Sequence, residues 1–212
     1  MNLLFDLDGT LTDPFLGITG CISYALEKAG RPSPPRERLR WCIGPPLKNS
    51  LAKLLASNDE AFVDQALSFY RERYGLIGLF ENTVYEGIND VLECLLANGH
   101  TLYVATSKPV IYAERIVNHF HLRRYLKKVY GSELDGTRND KADLISHIIE
   151  KESIALSDTV MIGDRKHDMI GAKANGISGI GVLWGYGTEQ ELVMSGAHTC
   201  ISHPRELLLT FQ

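Results

Sequence analysis

The sequence predicts an α/β protein: a doubly wound parallel sheet with a small all-helical domain inserted after the first strand. Three observations lead there. The chain opens on an apolar run, Leu3-Leu4-Phe5, that stops abruptly at two carboxylates, Asp6 and Asp8. From about Thr83, short β-type runs alternate with helical patterns, the texture of parallel strands joined by right-handed crossovers. Between these regions the periodicity is helical only, as far as roughly Phe80. The expected division is 1–13 with 83–212 for the sheet domain and 14–82 for the helical insert.

The elements follow in order. Leu3–Phe5 reads as a buried strand that presents Asp6 and Asp8 at its carboxyl end, where ligands bind in open parallel sheets. In the insert, Ile18, Ile22, Ala25, Leu26 and Ala29 recur at helical spacing, and Gly30 is the stop. Leu47, Leu51, Leu54 and Leu55 repeat the pattern, as do Ala61, Phe62, Gln65, Ala66, Phe69 and Tyr70 with Arg71, Glu72 and Arg73 solvated. Proline-rich breaks fall at Pro32-Ser33-Pro34-Pro35 and Gly44-Pro45-Pro46. A helix over Ile88–Leu96 ends at Asn98-Gly99, and a strand, Leu102–Ala105, runs into Thr106-Ser107. Pro109 suits the first turn of the next helix. A short strand at Val129-Tyr130, a helix from Lys141 to Glu150 and a strand at Val160–Ile162 ending in Gly163-Asp164 come next. A helix to Asn175-Gly176, a strand at Gly179–Leu183 and a glycine-rich loop, Gly185-Tyr186-Gly187, complete the reading.

Bulk properties narrow the function. With 212 residues, 44% of them hydrophobic, the chain can bury a full core. A net charge of −4 argues against a nucleic-acid backbone as partner. No apolar run approaches the roughly 20 residues that span a bilayer, so no membrane association is expected. The N-terminus does not read as a signal peptide, because it lacks a basic lead and Asp6 and Asp8 interrupt its apolar stretch. Of four cysteines none forms a C-x-x-C pair, which disfavours zinc. Cys21, Cys42 and Cys94 sit in apolar helical patterns and are expected to be buried. These features suggest a reducing, cytoplasmic compartment.

Three strand ends then converge on one rim of the sheet: Asp6 with Asp8, Thr106 with Ser107, and Asp164. Acids from two strands, a hydroxyl and a lysine suit a hard cation and an anion together, as when Mg²⁺ bridges to phosphate. Each residue also has a plainer reading. Asp8-Gly9 is a common turn, Thr106, Ser107 and Asp164 can serve as helix caps, and Asp168 is favoured near a helix N-terminus anyway. Lys141 alone reads as a surface lysine. The weight lies in order and spacing together.

That order resembles the haloacid dehalogenase superfamily, in particular its magnesium-dependent phosphatases, over nearly the whole chain. Asp6-Leu7-Asp8-Gly9-Thr10 is similar to the first motif, and Val104-Ala105-Thr106-Ser107-Lys108 to the second. Lys141 in Asn139-Asp140-Lys141-Ala142 is similar to the third, where many relatives have Lys-Pro, and Val160 to Asp168 is similar to the fourth. Lys141 is the preferred phosphate-site lysine and Lys108 its rival. The insert resembles the helical cap of the phosphoglycolate phosphatase and β-phosphoglucomutase group, and Ile43-Gly44-Pro45-Pro46-Leu47 the loop by which such caps reach the site, although a helix–helix turn uses the same residues.

The resemblance implies a Rossmann-like core, Asp6 as nucleophile and Asp8 as acid and base. It implies Mg²⁺ held by Asp6, the Asp8 backbone carbonyl and Asp164 with Asp168 in support. Gly9, Thr106, Ser107 and Lys141 would bind the phosphoryl group. Cap motion would hinge near Asp13-Pro14 and Glu81–Thr83. The expected substrate is a small phosphorylated metabolite, in the manner of a phosphoglycolate phosphatase. A 5′-nucleotidase on nucleoside monophosphates and a phosphomutase are alternatives, with the protein a monomer or homodimer. A non-catalytic binding protein of this fold is the reading of another class, and the presence of both Asp6 and Asp8 disfavours it. A nucleotide-dependent kinase is disfavoured by the lack of a G-x-x-x-x-G-K-[ST] loop.

Overall fold

The computed structural model describes residues 1–211. The chain divides into two compact units, one made of Met1–Asp13 with the chain from Val84 onward, the other of Pro14–Thr83. Short strands β2 (Thr12–Asp13) and β3 (Thr83–Val84) pair where the chain crosses from one unit to the other.

In the first unit, among the described residues, six strands form one parallel sheet, as the alternation of elements predicts. β1 (Asn2–Phe5) lies inside, between β4 (Thr101–Pro109) and β6 (Thr159–Gly163). β5 (Lys128–Ser132) continues the sheet beyond β4, and β7 (Ser178–Val182) then β8 (Thr199–Ile201) beyond β6. Leu3, Leu4 and Phe5 are fully buried, as strands covered on both faces require. Register decides what meets at the rim: Phe5 stands opposite both Val104 and Ile162. The next backbone N–H, that of Asp6, still donates to the Ile162 carbonyl at 2.9 Å.

The helices of this unit are α4 (Ile88–Ala97), α5 (Val110–His119), α6 (Lys141–Glu152), α7 (Lys166–Ala174), α8 (Glu189–Met194) and α9 (Glu206–Thr210). Leu144, Ile145 and Ile148 of α6 and Ala172 of α7 close over Leu4, Tyr103, Tyr130 and Met161 of the sheet. α6 starts on a capping side chain, Asp140, which accepts from the N–H groups of Ala142 and Asp143.

Several expectations change. The strand expected over Leu102–Ala105 continues to Pro109, and neither Thr106 nor Ser107 caps α5, which starts behind Pro109 without a side-chain cap. Asp164 is not the cap of α7 either; Arg165 occupies that position. β8, α8 and α9 are additional to the sequence reading. Cys94 is exposed, contrary to expectation, because the buried face of α4 is set by Ile88, Val91, Leu92 and Leu95, and Cys94 falls off it. Cys21 and Cys42 are buried as expected.

The second unit is helical: α1 (Phe15–Lys28), a 3-10 segment over Arg36–Cys42, α2 (Leu47–Leu55), α3 (Glu60–Arg73) and a π-helical turn over Tyr74–Gly78. Ile18, Cys21, Ile22, Ala25 and Leu26 of α1 are buried, as are Val63, Ala66 and Tyr70 of α3. Asp59 caps α3 by accepting from Ala61 and Phe62. Arg73 grips Glu81 with two parallel bonds of 2.7 and 2.9 Å.

Candidate active site

The carboxyl ends of β1, β4 and β6 are neighbours, so Asp6, Thr106 and Asp164 emerge at one rim. After Asp6 the backbone turns tightly: the Leu7 carbonyl accepts from Leu11 and Thr12 at 3.0 Å. Gly9 makes this turn possible. Its φ is +86°, and a Cβ there would lie 2.1 Å from Asp164 Oδ2.

Asp6, Asp164 and Asp168 are buried, and each offers an oxygen within 4.8 Å of the others. Asp168, the third residue of α7, also accepts from the Arg165 N–H at 3.1 Å. Lys141, at the start of α6, is 5% exposed and reaches into this group. Its Nζ lies 3.1 Å from Asp6 Oδ1 and 2.8 Å from Asp168 Oδ1, and donates to the Ala105 carbonyl at 2.8 Å. The surface reading of Lys141 is thereby overturned. Lys108 sits elsewhere in the site, its Nζ 2.6 Å from Asp8 Oδ2. Thr106 is buried, and its Oγ1 accepts from the Lys108 N–H at 3.3 Å. Ser107 turns its carbonyl to the Ser132 hydroxyl, 2.8 Å away.

The electrostatics follow from crowding acids away from water. Burial, then repulsion from Asp6 and Asp168, raises Asp164 well above the usual carboxylate range. Burial pushes Asp168 up to about 6, against the pull of Lys141. Asp8 is raised by burial and drawn back by Lys108. Burial works to lower Lys141, but Asp168 and Asp6 more than reverse it and hold the ammonium charged.

This donor set fits a hard divalent cation. Three buried carboxylates meet here, the Lys141 ammonium pairs with Asp6 and Asp168, and Asp164 Oδ1 is buried without a hydrogen-bond partner among the described residues. All donors are oxygens, the preference of Mg²⁺. The side-chain group is Asp6, Asp164 and Asp168, whereas the Asp8 carboxylate points to Lys108.

The loop after β7, which the sequence showed without indicating a role, packs against the candidate site. The Tyr186 N–H donates to Asp164 Oδ2 at 2.7 Å, and the Tyr186 hydroxyl donates to Asp13. A Cβ on Gly185 would meet the Asp164 side chain at 2.4 Å, and one on Gly187 the Asp164 carbonyl at 2.0 Å. Trp184 Nε1 donates to the Thr10 carbonyl at 3.0 Å. The loop therefore braces both the Asp164 carboxylate and the turn after Asp8. Its visible signal was two glycines flanking an aromatic behind a strand.

A family model described as haloacid dehalogenase-like hydrolase matches residues 3–182. A protein of Pseudomonas aeruginosa named 5′-nucleotidase is 50% identical over 191 residues, which cover 90% of this chain and 86% of that protein. The tyrosine-protein kinase PtkA of Mycobacterium tuberculosis is 34% identical, with 95% of this chain and 68% of that protein covered. Phosphoglycolate phosphatase 1 of P. aeruginosa is 27% identical, with 97% and 78% covered. Among solved structures, a predicted phosphatase from Clostridium acetobutylicum superposes with a TM-score of 0.93 at 40% identity, covering 99% of this chain and 96% of that one.

Proposed function

The chain belongs to the haloacid dehalogenase-like hydrolases and is a phosphatase, and on that premise we propose that it hydrolyses nucleoside 5′-monophosphates with Mg²⁺ through a phosphorylated Asp6. The observation that carries this reading is Asp6 itself, a buried carboxylate at a strand end where Asp164, Asp168 and Lys141 meet. The substrate class rests on the 50% identity to the relative named 5′-nucleotidase, against 27% to the one named phosphoglycolate phosphatase. Phosphoglycolate is the second candidate. The helical unit is proposed as the cap that sets this choice.

The residues divide the work. An Asp6 oxygen attacks phosphorus, and the bond from phosphorus to the leaving alkoxide breaks. Lys141, beside Asp6, Thr106 with Ser107, and the backbone at Gly9 stabilise the phosphoryl oxygens as charge shifts. Asp8 gives its proton to the departing alkoxide, a role suited to an acid that burial raises. Asp8 then takes a proton from water as that water's oxygen attacks phosphorus, the bond to Asp6 breaks, and phosphate leaves. Asp6, the Asp8 carbonyl and Asp164, with Asp168 supporting, would hold Mg²⁺, which would supply positive charge near the phosphoryl group.

The test is a Mg²⁺ assay across nucleoside monophosphates, phosphoglycolate, hexose phosphates, pyrophosphate and p-nitrophenyl phosphate, with wild type, Asp6→Asn and Asp8→Asn. The highest kcat/KM is expected on a nucleoside 5′-monophosphate, and a larger value on phosphoglycolate would replace that assignment. Asp6→Asn should abolish turnover of every substrate; retained wild-type rates would remove Asp6 as nucleophile. Asp8→Asn should stop turnover while sparing metal binding. Because a relative is named a tyrosine kinase, phosphotyrosine formation on the protein incubated with ATP belongs in the same series, with none expected.

A further inference from the structure

We propose that Lys108 is the positioning residue for Asp8, and that β5 holds Lys108 in place through Gly131 and Ser132. This rests on the reading of Asp8 as acid and base. The two buried lysines of the site serve different carboxylates. Lys141 goes to Asp6 and Asp168, whereas Lys108 Nζ lies 2.6 Å from Asp8 Oδ2. Both members of the Lys108–Asp8 pair are largely withdrawn from water, with side chains 7% and 13% exposed. A charge-assisted bond in such surroundings fixes the rotamer of the carboxylate strongly. It also distinguishes the two oxygens. Oδ2 is anchored, while Oδ1 is buried with no hydrogen-bond partner among the described residues. Oδ1 is therefore the oxygen left to carry the proton to the leaving group and later to take one from water. Lys108 exchanges no proton in either step; it holds the group that does.

The position of Lys108 is built into the sheet. β4 and β5 run in register as far as Thr106 opposite Gly131, and the next pair is Pro109 opposite Ser132. Ser107 and Lys108 are thus extra residues, bulged out of the ladder, and bulges re-aim side chains. Two contacts from β5 fix the bulge. Ser132 Oγ donates to the Ser107 carbonyl at 2.8 Å. At Gly131 a Cβ would lie 2.5 Å from the Lys108 carbonyl oxygen and 2.9 Å from the Val110 nitrogen, both backbone atoms. The bulge can lie where it does because position 131 has no side chain.

The leaving group supplies the test. An alkoxide needs a proton as it departs, whereas p-nitrophenolate is stable without one. In this mechanism kcat/KM reports the steps up to phosphorylation of Asp6, which include that proton transfer. Lys108→Met should lower kcat/KM on the best alkyl phosphate of the panel by at least about tenfold more than on p-nitrophenyl phosphate, within the range that a general acid contributes. Lys108→Arg, which keeps the cation, should return part of the difference. Gly131→Ala should show the same selective loss, and offers a second route if Lys108→Met folds poorly by its thermal melt. Equal losses on both substrates would place Lys108 on the phosphoryl group instead, and no loss would make the pair idle; either overturns the proposal. Asp8→Asn, whose turnover stops at the phosphorylated Asp6, is measured beside them by its single-turnover rate of leaving-group release. If it lacks the leaving-group dependence, the acid assignment beneath the proposal fails. If it shows the dependence and Lys108→Met does not, only the role of Lys108 fails.

Discussion

Replacing Lys141 by Met tests whether one ammonium holds the acid cluster together. Met keeps most of the length and apolar stem but cannot donate. The change leaves Asp6 Oδ1 and Asp168 Oδ1 without the cation now 3.1 and 2.8 Å away, and the Ala105 carbonyl without its 2.8 Å donor. Removing one partner of a buried ion pair costs about 3–5 kcal/mol, because the charge left behind is uncompensated. For a chain of this size about 1 kcal/mol moves the melting temperature by roughly 2–4 °C, so a fall of about 6–20 °C is expected in chelator at neutral pH. Two conditions should narrow the gap. Mg²⁺ replaces part of the lost charge and binds only the folded state. Lower pH also helps, because Asp168, already at about 6 and drawn down by Lys141, rises further without it and is relieved by protonation. The assay is thermal melting followed by circular dichroism, with EDTA and with Mg²⁺, at pH 7 and pH 5. A variant that melts within about 2 °C of wild type in EDTA at pH 7, against the several degrees expected, would refute the reasoning.

Gly9→Ala would put a Cβ 2.1 Å from Asp164 Oδ2 in a backbone conformation that disfavours it. Turnover should fall about a hundredfold, the effect of an ångström-scale displacement at a reacting centre, together with weaker Mg²⁺ binding in a titration; unchanged Mg²⁺ affinity would contradict this. Glu152 accepts from the hydroxyls of Tyr130 and Tyr103 and pairs with Lys127 at 2.8 Å. Lys127 first, then Tyr130, holds its carboxyl below the usual 4.5. Its stabilisation is therefore present above that value and lost as pH falls through the lowered one. Glu152→Gln should cost about 1–3 kcal/mol at pH 7 and remove that part of the acid slope, as measured by urea unfolding at pH 7 and pH 4. An unchanged slope would show that Glu152 does not set it.

The meeting of Asp6, Thr106 and Asp164 at one rim was legible because β1, β4 and β6 are apolar runs buried on both faces that end sharply in polar residues, and such runs have few other places to go. The order of Asp6, Thr106, Lys141 and Asp164 along the chain carried the rest. Burial of Lys141 was not legible locally, since Asn139, Asp140 and Ala142 read only as the start of a helix. It depends on α6 packing against β4, a long-range fact. The partner of Lys108 was hidden for a similar reason: a bulge and the register of β5 decide it, and neither has a periodic signature. The bracing of Asp164 by Gly185, Tyr186 and Gly187 lies some twenty residues downstream of the motif that it supports. β8 escaped notice because three residues are too short to show alternation, and Cys94 was misjudged because the stripe of α4 is narrower than its composition suggests.

The helical insert has a consequence for assembly. β1 must find β4, and Leu3 pairs with Leu102 across nearly the whole first half of the chain. Closing so long a loop costs roughly 4 kcal/mol of chain entropy, by its logarithmic dependence on length. Helices built on local contacts form quickly, and β2 and β3 bring the two ends of the insert side by side. Once they have done so, the loop between β1 and β4 is short in effect, and about 1 kcal/mol of that entropy no longer opposes the central pairing. Pulse-labelling hydrogen exchange during refolding is therefore expected to protect the insert before β1, with the sheet nucleating on a chain whose longest detour has already been folded away.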